Sequence, residues 1–258
     1  MKKIKLISLL SLLLILVSAC GPKYISKKDA FPNMYEERPL SILVLPPINM
    51  TTAADAKEYY ATTIVEPLSF AGYYIYPIEV TTDILKNEGL YDTQILEGLP
   101  PEKFKQFFGA DAVMYIKILK WDTSYYVIGG NMTVAVDCLL KSTTTGRDLW
   151  KYDGTIVLDT TGGSGSSGGL VGLIVKVIAT AIQTAATDYV PIAKQANIMT
   201  ISSMPFGKYN LNFDKDRDAQ IILKKKPEEA VKNPAAETAG RQSQNSNSLS
   251  CSISFSLP

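Results

Sequence analysis

Leu40-Ser41-Ile42-Leu43-Val44-Leu45-Pro46-Pro47 sets the reading of the whole domain. Its apolar residues run together instead of alternating, and a proline pair closes them, so the stretch reads as a buried strand of the kind parallel sheets contain. Downstream, Tyr60, Ile64, Leu68 and Ala71 recur at helical spacing within Ala53 to Ala71. Thr51 and Thr52 offer a cap, Gly72 a stop, and Pro67 is expected to bend the helix or end its regular part. Tyr73 to Pro77 reads as a second strand and Val80 to Glu88 as a short helix ending at Gly89. Pro100-Pro101-Glu102 opens another helix that runs to Phe108. Ala112 to Trp121 has an imperfect period of two, interrupted near Leu119. Met132–Leu140 and Leu149–Leu158 are two further strands joined through Thr144-Thr145-Gly146-Arg147. This order predicts an α/β (α+β) fold: a mixed β-sheet of about five strands, first pairs parallel and later ones antiparallel, with helices packed on it.

Residues 39–213 are long enough for one cored domain. Gly162 to Gly169 lacks the Gly-Lys-Ser/Thr ending of a phosphate loop and reads as a connector. Behind it, Leu170, Ile174, Val177, Ile178 and Ala181 line one face of a helical pattern, opposite Lys176, Thr180, Gln183, Thr184 and Thr187. This is an amphipathic helix expected to cover a sheet or a partner chain, and its apolar residues are the candidate interface. Residues 214–258 are a low-complexity tail with too few apolar side chains for a core. Within it, Ser248 to Leu257 alternates strictly, as a strand added to a sheet edge would.

The other end carries an address. Lys2, Lys3 and Lys5 precede an apolar core, Leu6 to Val17, and Val17-Ser18-Ala19-Cys20 fits the pattern of aliphatic, small, small, cysteine. Residues 1–19 therefore read as a lipoprotein signal peptide and Cys20 as the first residue, whose thiol receives a diacylglyceryl group; the pattern's resemblance to bacterial lipoprotein signals implies a further acyl chain, such as palmitate, on its freed amine. The apolar run falls short of the ~20 residues a spanning helix needs. Gly21 stands where an aspartate would favour the inner membrane, so the expected site is the periplasmic face of the outer membrane. Residues 20–38, polar and interrupted by proline, read as a lipidated tether. Without the signal the chain has 23 basic against 25 acidic side chains, which is no balance for a nucleic-acid binder. Histidine is absent, which removes Ser-His-Asp and Cys-His chemistry and the commonest metal ligand; no cofactor is implied. Cys138, inside the alternation Val134 to Leu140, reads as a buried free thiol, and Cys251 lies in the tail.

Several segments together resemble one group of envelope lipoproteins. They are Leu45-Pro46-Pro47-Ile48-Asn49-Met50-Thr51, Gly72-Tyr73-Tyr74, Phe108-Gly109-Ala110-Asp111-Ala112-Val113, Trp121, Thr145-Gly146-Arg147-Asp148-Leu149-Trp150 and Met204-Pro205-Phe206-Gly207-Lys208-Tyr209. The chain resembles the neisserial genome-derived-antigen lipoprotein family over roughly residues 20–210. No single motif is specific; their order carries the likeness. The resemblance implies a domain similar to the N-terminal domain of TolB and to LpoB, and partnership with a CsgG-like lipoprotein. A homodimer is a second arrangement compatible with it. Physical chemistry supplies its own reasons for some of these positions. Gly72 and Gly109 precede strands where a helix must stop sharply, Asp111 can close such a turn, and Trp121 and Trp150 read as packing.

Three function classes follow. A non-enzymatic component of an envelope assembly, secretion or transport complex fits the anchor and the scattered acids. An LpoB-like regulator of a cell-wall enzyme needs a long tether, and residues 21–38 reach only about 60 Å. A hydrolase would need a base near Ser69 or Ser124, and none is evident.

Overall fold

The computed structural model describes residues 24–90, 93–126, 129–159, 174–176 and 189–222. Strand β1 (Tyr24–Ser26) leads into two short helices, α1 (Lys27–Ala30) and α2 (Pro32–Glu37). The decisive apolar run is strand β2 (Ser41–Val44), followed by β3 (Ile48–Asn49), helix α3 (Ala56–Phe70) and β4 (Tyr74–Ile75). Helices α4 (Ile78–Asn87), α5 (Thr93–Glu97) and α6 (Pro101–Phe108) precede the long strands β5 (Ala112–Tyr126), β6 (Gly129–Ser142) and β7 (Asp148–Asp159). Strand β8 (Ile174–Lys176), helix α7 (Val190–Ile201) and strand β9 (Gln220–Ile222) complete the order.

Among the described residues, seven strands form one mixed sheet, ordered β4-β2-β5-β6-β7-β8, with β3 on β5. β2 pairs in parallel with β4 and β5, while β5–β6 and β6–β7 are antiparallel. The α/β expectation holds, and the five expected strands are joined by the short β3 and β8. The irregularity near Leu119 is a bulge: the register slips between Ile118 and Lys120, and the period of two resumes with Trp121 inward.

Helices cover both faces, because every residue of β2 is buried and a strand buried on both sides needs two covers. On one face Met114, Ile116, Val136, Cys138 and Trp150 pack with Tyr60, Ile64 and Leu68 of α3 and Ile192, Ala193 and Ala196 of α7. On the other, Leu43, Leu45, Val113 and Tyr115 pack with Leu85 of α4, Leu96 of α5 and Phe104 of α6.

Several expectations need correction. Residues 24–37 of the expected tether are folded: Phe31, Met34 and Tyr35 are buried, and β1 pairs with β9. For the same reason the body passes position 213 and reaches Ile222. Pro67 does not end α3, which continues to Phe70. Thr51 does not cap it either; its Oγ1 donates to Asn49 Oδ1 and accepts the Ala53 N–H, shaping the loop ahead. Ile174, placed on an amphipathic helix, lies instead in β8, whose backbone pairs in parallel with Val157–Asp159. Ile174 and Val175 are β-branched, which suits a strand laid on a free sheet edge. Leu170, Val177, Ile178 and Ala181 lie outside the described residues, as do Cys20, Cys251 and the alternating tail.

Candidate functional site

The motif positions are fastened to one another by hydrogen bonds across the fold. Gly72 ends α3 at φ 95°, and an added Cβ would sit 2.7 Å from the Gly207 carbonyl oxygen. That closeness reflects a seam. Gly207 N–H donates to Ala71 O (2.8 Å), Tyr209 N–H to Gly72 O (3.1 Å), and Tyr73 OH to Pro205 O (2.7 Å). The Gly72-Tyr73 and Met204–Tyr209 segments are therefore two sides of one contact.

A second clasp forms around Asp111. Gly109 caps α6 at φ 73°, which turns the chain so that the Asp111 carboxylate meets the start of β2. Its Oδ2 accepts the Leu40 and Ser41 N–H groups (3.1 and 3.2 Å) and Ser41 Oγ–H, and Lys105 Nζ donates to Oδ1 at 2.7 Å. Burial pushes the carboxyl upward, but the Lys105 and Leu40 hydrogen bonds outweigh it, and the net shift is below the usual carboxylate range. The Thr145–Trp150 segment is the third clasp. Arg147 binds Glu36 and Glu37 of α2, and Trp150 is buried with its Nε1–H on Ser203 Oγ. Trp121 packs near Tyr189.

One network gave no sequence signal. Lys27 and Asp216 form an ion pair at 3.1 Å with side chains only 7% and 6% exposed. Lys27 Nζ also donates to Met204 O, while Asp216 accepts from Phe206 N–H and Tyr35 OH. Burial, and then Asp216, raise the Tyr35 phenol above its ordinary value. A lysine and an aspartate 189 positions apart have no local pattern that links them.

Two sizeable cavities open among the described residues, one at each border of the α4–α6 layer. The first, about 230 Å³, lies past the carboxyl end of β2 between α3 and α4, lined by Pro46, Pro47, Lys57, Ile78, Thr82 and Leu96. The chain leaves β2 toward β4 on one side and returns to β5 on the other, so this is a strand-order reversal point, where open α/β sheets take ligands. Pro46 and Pro47 are the motif residues that border it. The second, about 340 Å³, opens on the sheet face beside α5, lined by Tyr115, Lys117, Asp137, Leu139, Lys141 and Lys151. Its charges are matched in pairs: Lys117 with Glu97 (3.0 Å), Lys141 with Asp148 (2.8 Å), and Lys151 with Asp137 (3.9 Å). Burial pushes the Tyr115 phenol up to about 12, with Glu97 and Glu102 adding to the effect, so it is no base at neutral pH. Sequence reading did not single out Lys117, Asp137 and Lys151; each is a single charge between apolar neighbours, and only strand pairing brings them together.

Among the described residues, no set of three acids or cysteines could hold a metal ion, and no helix is long and apolar enough to cross a membrane. Cys138 is a buried free thiol, pushed up to about 12 by burial.

A model of the family described as "Putative lipoprotein GNA1162-like" matches residues 30–208. "Putative lipoprotein NMB1124/NMB1162" of Neisseria meningitidis serogroup B is 32% identical over 172 residues, 67% of this chain and 78% of that protein. The crystal structure of lipoprotein GNA1162 from Neisseria meningitidis is similar at 32% identity with a TM-score of 0.44, covering 51% of this chain and 90% of that one. The LpoB C-terminal domain from Salmonella enterica aligns at 16% identity and a TM-score of 0.30, over 51% of this chain and 98% of its own.

Proposed function

The chain belongs to the GNA1162-like lipoprotein family, and from that premise we propose that it is a non-catalytic accessory component of an envelope assembly, secretion or transport complex. It is held through Cys20 at the periplasmic face of the outer membrane. The observation that carries this reading is the shortness of the link. Gly21, Pro22 and Lys23 alone separate Cys20 from Tyr24, the first described residue of the folded body. At ~3.5 Å per residue the link reaches about 14 Å, so the body stays against the leaflet that holds its lipid.

The body points its long strands away from that end. α2 and the 143–147 turn lie at the amino end of β2, and β5, paired in parallel with β2 over Ala112–Met114, continues in that direction for a total of 15 residues, about 50 Å at ~3.3 Å each. The Pro46–Pro47 crevice, past the carboxyl end of β2, therefore faces away from the anchor and is open to a partner. A regulator that must cross the periplasm to a cell-wall enzyme needs more reach than this link gives, which favours a partner resident at the same membrane.

The test is crosslinking in intact cells, with a photoreactive residue at Lys57 in the crevice or Lys151 in the sheet-face cavity. Recovery of another envelope lipoprotein, a CsgG-like one included, supports the reading. Recovery of a cell-wall synthase overturns it in favour of the regulator. Turnover of cell-wall fragments by the purified protein overturns the non-catalytic assignment.

A further inference from the structure

β1 and β9 form a two-stranded antiparallel ribbon apart from the main sheet, with Tyr24 opposite Ile222, Ile25 opposite Ile221 and Ser26 opposite Gln220. Alternation along the ribbon turns Ile221 toward the core, against which it packs, and leaves Tyr24 and Ile222 on the outward face. The two are direct cross-strand neighbours, 59% and 54% exposed. A single exposed apolar residue needs no explanation. A cross-strand aromatic and β-branched pair, held outward on a three-residue ribbon, is a different matter because of where it sits.

We infer that this ribbon is a second, non-covalent membrane contact, which lays Tyr24 and Ile222 into the interfacial layer of the bilayer that receives the Cys20 acyl chains. The inference rests on Cys20 being the lipidated residue. Three residues of link give about 14 Å at most, while the polar layer on each side of a ~30 Å hydrocarbon core is only about 5–8 Å deep. The ribbon is therefore held in or just above the headgroups. Tyrosine prefers that layer, where its ring meets the acyl boundary and its hydroxyl stays wet, and isoleucine beside it adds apolar area. Of the charges flanking the ribbon, Lys28 pairs with Asp218 at 3.4 Å and the Asp29 carboxylate accepts the Ser26 hydroxyl. Apolar contact is thus what the described ribbon offers. The consequence is orientation. One lipidated residue lets a domain swivel, and a second contact beside it fixes which face looks away from the membrane.

The experiment uses full-length lipidated protein in phosphatidylethanolamine–phosphatidylglycerol vesicles whose acyl chains carry bromine, a contact quencher of tryptophan. Tyr24→Trp is compared with Phe107→Trp, an equally open aromatic site (63% exposed) on α6, which packs on the opposite face of the sheet from the ribbon. Emission is read against the unsubstituted protein, in which Trp121 and Trp150 are buried. The emission added by Tyr24→Trp should fall by about half or more, and that added by Phe107→Trp little. No quenching of the Tyr24→Trp emission in protein whose mass shows acylated Cys20 overturns the contact and leaves the anchor standing. Equal quenching at both sites overturns it too, since the body would then have no fixed orientation. Unmodified Cys20 in membrane-bound protein overturns the anchor, and the contact with it.

Discussion

Replacing Asp216 by alanine should be among the most damaging single changes in the domain. The side chain accepts from Lys27 Nζ, Phe206 N–H and Tyr35 OH at 3.0 to 3.1 Å. Removal leaves the ammonium of Lys27 buried, with the Met204 carbonyl at 2.8 Å and the Phe206 ring at 4.9 Å as its remaining company. Breaking one side of a buried pair costs about 3–5 kcal/mol, chiefly because the surviving charge is uncompensated. Lys27→Met should cost less, about 3 kcal/mol, since the carboxylate keeps two donors and methionine keeps the stem's packing. The double variant Lys27→Met, Asp216→Ala removes both charges and should recover about 1–3 kcal/mol relative to the sum of the singles. Urea unfolding followed by circular dichroism at neutral pH measures all three. A cost below about 1 kcal/mol for Asp216→Ala, or strict additivity in the double variant, would refute the argument that this pair is a buried and mutually dependent unit.

Gly72→Ala should destabilise by about 2–3 kcal/mol in thermal unfolding, because it adds a backbone overlap with Gly207 to the positive-φ strain. Gly89→Ala, at φ 80° with no atom within 4 Å of the added carbon, should cost only about 1 kcal/mol. Asp111 is lowered in the folded state, so its contribution is present above the unfolded carboxyl value of about 3.9 and is lost as pH falls through the folded one. Asp111→Asn should therefore flatten the acid limb of the stability profile, and an unchanged limb would count against the clasp. Cys138, buried with its thiol pushed up to about 12, should resist thiol reagents at pH 8 until urea unfolds the chain. Rapid native labelling of Cys138, located by peptide mass, would contradict its placement.

Local pattern made much of the main sheet readable. The unbroken run Leu40–Leu45 is buried throughout apart from its first residue, the break near Leu119 is a bulge, and Gly72 and Gly109 stand at positive φ. What failed was long-range. The segment 24–37 looked like a tether because its anchoring residues, Lys27 and Tyr35, become buried only through Asp216, far along the chain. α7 gave no clear stripe because Asn197 and Thr200 are buried, bonded to Tyr60, Thr63 and Ala196 at the contact with α3. A polar residue inside a helix contact defeats a rule based on apolar spacing. At the site level, Gly72, Tyr73, Asp111, Arg147 and Trp150 fasten distant segments of the fold to one another, while Pro46 and Pro47 border a cavity. The cavities themselves depend on strand pairing and helix placement that no single segment encodes.

The pairing of Tyr24 with Ile222 also sets a sequence of events in time. As a chain emerges amino end first, β2, the helices and the β5–β7 meander can assemble while Lys27 still waits for Asp216, synthesised 189 residues later. Closing so long a loop is repaid only once its partners exist. The strand nearest Cys20 therefore cannot take its native pairing until Asp216 and Ile222 have both been made.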